Sequence, residues 1–254
     1  MKIRAIALHT LKEAIRDRVL YLLLFFAVVS IGFSRLLALL TLGDRVKIIK
    51  DVGLASLSLF GALMAILIGT GLVYKEIDKK TIYTLLSKPI HRYQFLLGKF
   101  FGLALTLFIM LFSMSIIFLA LIFFHTFTIE WKMLIAIFYI FLELCLVTSV
   151  ALLFSCFSTP ILSSLFTLAF YMIGHTAWGL ETLINKIQPG FGKTMAQALY
   201  HFLPDLENFN FKTEIVHNLP IPSSIFLYST LYGIFYTLFV LTIALLIFRK
   251  RDFI

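Results

Sequence analysis

The sequence predicts an all-α integral membrane protein with six transmembrane helices, on three observations. Of 254 residues, 61% are hydrophobic and only 14% charged, with mean hydropathy +0.99. A soluble domain runs at roughly 45–50% apolar and about 25% charged residues. The apolar residues fall in repeated long runs, each near the roughly 20 residues that one crossing needs. The 22 basic residues gather at the ends of those runs. No basic face recurs along the chain, so the formal charge of +9 reads as membrane orientation rather than nucleic-acid binding.

Taken in order, residues 2–18 form a basic amphipathic helix. Ala7, Leu11, Ala14 and Ile15 share one face, while Lys12, Glu13, Arg16 and Asp17 point elsewhere. Such a segment is expected along the membrane interface before the chain turns inward. The apolar run is too long, and lacks the small-residue site, for a cleavable signal peptide. Six spans follow, at 19–41, 54–74, 95–126, 132–156, 160–180 and 224–248. The third exceeds what a crossing needs and should tilt or project. The fourth and fifth are joined by Phe157, Ser158 and Thr159 alone, and Pro160 suits the first turn of the helix it opens.

Between the second and third spans lies a polar island, Val73 to Lys99, with six basic residues: Lys75, Lys79, Lys80, Lys88, Arg92 and Lys99. It carries its own apolar stripe, because Ile82, Leu85 and Leu86 fall at i, i+3, i+4. Thr81 can cap that short helix and Pro89 disfavours helix from Lys88 onward. A loop that is merely solvated needs no such stripe; one that docks into a groove on a soluble partner does. Residues 181–222 form the longest segment outside the spans, broken by Pro189, Gly190, Gly192, Pro204, Pro220 and Pro222. Its stripe of Met195, Ala198, Leu199 and Phe202 is too apolar for a free loop, so it should cap the bundle's outer mouth or dip into the interface.

Orientation follows from the basic residues. Fourteen lie at the N-terminus (Lys2, Arg4, Lys12, Arg16, Arg18), in the polar island and at the C-terminus (Arg249, Lys250, Arg251). Eight lie on the other side: Arg35, Arg45, Lys47, Lys50, Lys132, Lys186, Lys193 and Lys212. That bias places both termini in the cytoplasm. Trp131, Trp178, Tyr200 and Tyr228 then fall near the external boundary, as an aromatic belt requires.

Catalytic motifs are lacking. There is no H-E-x-x-H, and His9, His91, His125, His175, His201 and His217 stand singly, which reads as interfacial anchoring. His125 and His175 near one face leave a metal or haem pair conceivable. Gly98-Lys99 and Gly192-Lys193 lack the earlier glycine of a phosphate-binding loop, so the chain has no nucleotide site of its own. Cys145 and Cys156 are about 16 Å apart along one helix, too far to bridge. The one charge with no nearby exit is Glu143, in the middle of the fourth span. A carboxylate there is either a polar group on a pathway or gate, or a neutral acid bonded to a neighbouring helix. Arg35 can snorkel outward.

These features together resemble an ABC transporter permease of the type-2 exporter class. At the motif level IRDRVLY (15–21), LGDRVKIIKDVGLASLSLFG (42–61), LVYKEIDKKTIYTLLSKPIHRYQFLLGKF (72–100), LFSCFSTP (153–160) and FRKRDFI (248–254) look like its NosY-like, multicopper-enzyme-maturation branch. The resemblance implies one permease domain over 1–254 in the cell (inner or plasma) membrane, pairing with a second permease copy. It implies a separate ATP-binding subunit carrying ATP and Mg²⁺, with no cofactor in this chain. Residues 2–18 would be the elbow helix, 76–88 the coupling helix and 181–222 the external gate. In the coupling helix Ile82, Leu85 and Leu86 would be the apolar knobs; Glu76, Lys79, Lys80 and Lys88 would set register at the rim. Three other readings compete, one of them a membrane-embedded enzyme or lipid-modifying protein, which would require a cluster of His, Asp or Glu at one membrane level. A secondary transporter needs no ATPase but requires several intramembrane ionisable groups. A membrane subunit that passes ATPase strokes to a bound protein would use the same loop.

Overall fold

Long apolar stretches without internal breakers form helices in this chain, and the described residues hold no strand. The computed structural model describes residues 2–39, 44–78, 91–128, 130–176 and 204–250, with Ile184, Lys193 and Met195; for 72–78 and 250 it gives the backbone alone. Helix α1 (Lys2–Ile15) is followed by α2 (Arg18–Leu39), whose first turn is held by Asp17 accepting from the Val19 N–H at 3.0 Å. Then come α3 (Arg45–Asp78), α4 (Arg92–Thr126), α5 (Trp131–Ser155) and α6 (Pro160–His175). A 3₁₀ turn (Leu206–Phe209), the short α7 (Lys212–Val216) and α8 (Ser223–Lys250) complete the order.

Five of these helices, α2, α3, α4, α5 and α8, are long and apolar enough to cross a membrane. The chain is therefore an all-α, multi-pass membrane protein. The span expected at 160–180 is shorter: α6 has 16 residues and closes at Thr176, while 177–180 lie outside the described residues. Helix α3 begins nine residues before the expected boundary, at Arg45. In its first turns Lys47 pairs with Asp44 at the exposed surface, while the buried Lys50 donates to Glu130 at 2.6 Å. Pro160 opens α6 after the tight 157–159 link, as expected.

Helices α3 and α5 are the most enclosed, while α2 and α8 expose most of their length. Exposed side chains such as Phe25, Phe124, Ile161 and Phe235 form the apolar outer surface that lipid tails require. Hydroxyls inside the bundle bond back to their own helix: Thr70 to Ile66 O, Thr106 to Gly102 O, Thr148 to Leu144 O and Thr167 to Ser163 O, all at 2.6–2.8 Å. Each donor is satisfied without a partner helix, which is how hydroxyls are tolerated at such depth.

At the end bearing both termini, α1 seats on α4. Gly98 and Gly102, one turn apart, admit Ile6 and Thr10 of α1. Glu13 meets the fully buried Lys99 at 3.4 Å. The buried face of α1 is therefore Thr10 and Ala14, set against protein. Arg92, at the start of α4, donates to the carbonyls of Phe248 and Arg249 at 3.2 and 2.6 Å, which caps the end of α8.

Candidate functional site

At the opposite end the chain folds back into its own bundle. Leu206, Phe209, Phe211, Ile215 and Val216 are all buried in the main core. Two glycines admit them. A side chain at Gly174 would stand 2.6 Å from Leu206 Cγ and 3.2 Å from the Pro204 carbonyl; one at Gly233 would stand 2.8 Å from Phe209. Asp205 caps the 3₁₀ turn by accepting from the Glu207 N–H at 3.1 Å, and its own N–H donates to the Tyr232 hydroxyl at 2.9 Å. Phe211 packs on Tyr139, with ring centroids 4.5 Å apart. Non-helical backbone at this depth is tolerated where protein surrounds it or it lines a wet cavity. Residues 204–216 thus form a plug at this end of the bundle, while most of 181–203 lies outside the described residues. Of its apolar stripe only the exposed Met195 is described; Ala198, Leu199 and Phe202 lie outside the described residues.

The plug brings Glu207 and Lys212 to Glu143. Glu143 lies about 18 Å from the start of α5 at 1.5 Å per residue and is wholly buried. Its Oε1 is 2.9 Å from Nε2 of His175, the last residue of α6. Nδ1 of the same ring is 3.6 Å from Glu207 Oε2. Asn210 donates to Glu207 Oε1 at 2.7 Å. Tyr171, one turn before His175, stacks edge-on against its ring and sits beside Glu143 and Ser58. Glu143 Oε2 is buried with no hydrogen-bond partner among the described residues. An open cleft of about 360 Å³ abuts this cluster, lined by Ser58, Leu59, Tyr171, Met172, His175 and Lys212 among others.

The electrostatics follow from the contacts. The neighbouring His175 ring, helped by Asn210, holds the Glu207 carboxyl below its usual range against the opposing effect of burial. Because its pKa is lower in the docked plug than in free chain, Glu207 contributes to docking above the ordinary glutamate value of about 4.3. That contribution is lost as pH falls through the depressed value. Burial pushes Lys212 down from the ordinary lysine value, while Glu143 and Glu207 support its charge.

His175 is the main correction to the sequence reading. Expected as a lone interfacial anchor, it is instead the bridge between two carboxylates. It does not join His125, whose Nδ1 lies 2.9 Å from the Leu121 carbonyl of its own helix. No group of three or more metal-ligating side chains occurs among the described residues. Glu143 was singled out; its partners were not. The signal is physical: a mid-span carboxylate requires a partner at equal depth, and Lys212 reads in the sequence only as an orientation charge. Glu76 falls in the last turn of α3. Lys79, Lys80, Ile82, Leu85, Leu86 and Lys88 lie outside the described residues.

A bundle of long lipid-facing helices, plugged at one end over a buried charge cluster, is the architecture of a multi-pass membrane protein. The model of the ABC-2 family transporter proteins matches residues 4–253, so the chain belongs to that family. It is the transmembrane component type of ABC transporters. A search of curated proteins found no match.

Proposed function

We propose that this chain is the permease subunit of an ATP-driven exporter of the NosY-like branch, working as a dimer with a separate ATP-binding subunit. Membership of the ABC-2 family over almost the whole chain carries the reading. Both termini lie in the cytoplasm of a cell (inner or plasma) membrane. The coupling helix 76–88 rests in a groove on the ATPase, which holds ATP and Mg²⁺. Segment 181–222 is the external gate, and Glu143 serves the pathway or its gate. The elbow helix 2–18, α4 and the end of α8 are tied together by Lys99–Glu13 and Arg92. Force entering between α3 and α4 thereby reaches three elements at once.

The test is affinity purification of the tagged protein in mild detergent. Two permeases with two ATP-binding subunits are expected. A lone permease through several detergents moves the assignment to the secondary-transporter reading. One observation favours that second reading: Glu143, His175, Glu207 and Lys212 gather at one depth, as a proton- or ion-driven carrier requires.

Glu143→Gln keeps the shape of the side chain and removes its charge. Transport-coupled ATP hydrolysis is expected to fall roughly tenfold, the worth of one hydrogen bond to a charged group, with assembly unchanged by size-exclusion chromatography. A variant that does not assemble assigns Glu143 to packing instead.

A further inference from the structure

The ring of His175 faces a carboxylate oxygen at each nitrogen, 2.9 Å at Nε2 and 3.6 Å at Nδ1. A neutral imidazole has one N–H and one lone pair. Whichever tautomer it adopts, the lone pair then points at a carboxylate. With both carboxyls ionised, the pattern is satisfied when both nitrogens carry hydrogen. We infer that the Glu143–His175–Glu207 array is a proton-binding site, in which an imidazolium at His175 latches the plug 204–216 onto the bundle and releases it when that proton leaves.

Charge balance supports the same state. Every element packed around the ring contributes: Glu143 from α5, Tyr171 from α6 itself, Glu207 from the 3₁₀ turn and Lys212 from α7. Among its described residues, helix α3 offers the hydroxyl of Ser58, beside Tyr171. Of the plug's other acids, Asp205 is spent on the turn's cap, and Glu214 Oε2 is buried without a hydrogen-bond partner among the described residues. With His175 charged, two carboxylates face two cations. Without that proton the cluster carries a net negative charge, in surroundings where an unbalanced charge is costly.

The array is also asymmetric in the sense a latch needs. Glu143 and His175 belong to the bundle, whereas Glu207 belongs to the plug. When one proton leaves, the remaining N–H stays with the shorter, fully buried contact to Glu143. Nδ1 then presents its lone pair to Glu207, and attraction becomes repulsion. Lys212 still attracts both carboxylates, so release is graded rather than complete. His175 lines the open cleft and Glu207 is 38% exposed, so the proton passes to water there. The charge state is a property of the permease alone; only its consequence for transport rests on reading 181–222 as the gate.

Two measurements test this on the full chain in lipid nanodiscs without any ATPase. The first is NMR of protein labelled with ring-¹⁵N histidine, the His175 signals being those lost in His175→Gln. Both ring nitrogens protonated at pH 7.5 is expected; a single N–H overturns the proposal, and this reading needs only the wild-type fold. The second is amide exchange of residues 204–216 at pH 6 and pH 9, corrected for the intrinsic rate. Protection in the wild type is expected to fall about tenfold across that range, the scale of one charge-assisted hydrogen bond. The fall should be clearly smaller in His175→Gln, where Lys212 still attracts the carboxylates. A flat wild-type profile, or the same slope in the variant, removes the latch.

Discussion

Replacing Leu85 and Leu86 together by aspartate is expected to abolish association with the ATP-binding subunit. The two leucines and Ile82 supply the apolar stripe of the proposed coupling helix, at i, i+3, i+4 on one face. Truncating a central anchor of a docked helix typically costs 2 kcal/mol or more. Aspartate adds an unpaired charge in the groove, so the pair should weaken association by at least about a thousandfold. Membrane insertion depends on the apolar runs on either side and should be unchanged. Lys79→Glu with Lys80→Glu supplies the contrast. Rim charges steer encounter, so that variant should slow association and alter its salt dependence while leaving most of the complex at low salt. Normal co-purification of the Leu85→Asp, Leu86→Asp protein would remove the coupling-helix assignment.

The spans were legible because each rests on a local quantity, a run of apolar residues long enough to cross. Where a helix end depends on partners, the reading slipped. Helix α3 runs from Arg45, and its buried Lys50 meets Glu130, a contact that bridges 80 positions. Lys99 reads in the sequence as one of the six basic residues of the polar island, yet it is 1% exposed and meets Glu13 across 86 positions. The cluster at Glu143 shows the same limit. Its carboxylate could be flagged from depth alone, whereas His175 is 32 residues away and Glu207 arrives only through the plug. Periodicity reports which face of a helix is apolar; it says nothing of which element covers that face. For α1 the face was nearly right, since Ala7, Leu11 and Ala14 flank the buried Thr10. Thr10 itself escaped notice because its hydroxyl is spent on the Ile6 carbonyl, at 2.9 Å, leaving a methyl group to pack.

That seat carries the second large effect. Gly98→Leu with Gly102→Leu is expected to lift α1 from α4. At Gly102 an added Cβ would stand 2.6 Å from Thr10 Cβ and 2.7 Å from the Ala7 carbonyl oxygen; at Gly98, 2.7 Å from Ile6 Cβ and 3.2 Å from the Ile3 carbonyl. Two of those atoms are backbone of a continuous helix, which cannot turn aside as a side-chain tip can. Overpacking of this kind costs about 1–3 kcal/mol per site, and both sites press on the same helix. The cheapest relief is for α1 to leave as a unit, taking Glu13 from Lys99. A zero-length carbodiimide crosslink between those two side chains should form in the wild type and disappear in the double variant. Trypsin cleavage within α1, at Arg4 and Lys12, should speed up by tenfold or more, since the cost summed over both sites exceeds the 1.4 kcal/mol that a tenfold change represents. Alanine at both positions adds only the Cβ atoms and should give an intermediate rate. If the leucine variant keeps the crosslink and the wild-type cleavage rate, α1 is held by the membrane interface rather than by α4. If it loses both while α2–α8 stay protected, α1 is a docked element of the bundle. A basic amphipathic segment of this kind then transmits force through protein contacts, and its apolar face reports a helix neighbour rather than lipid.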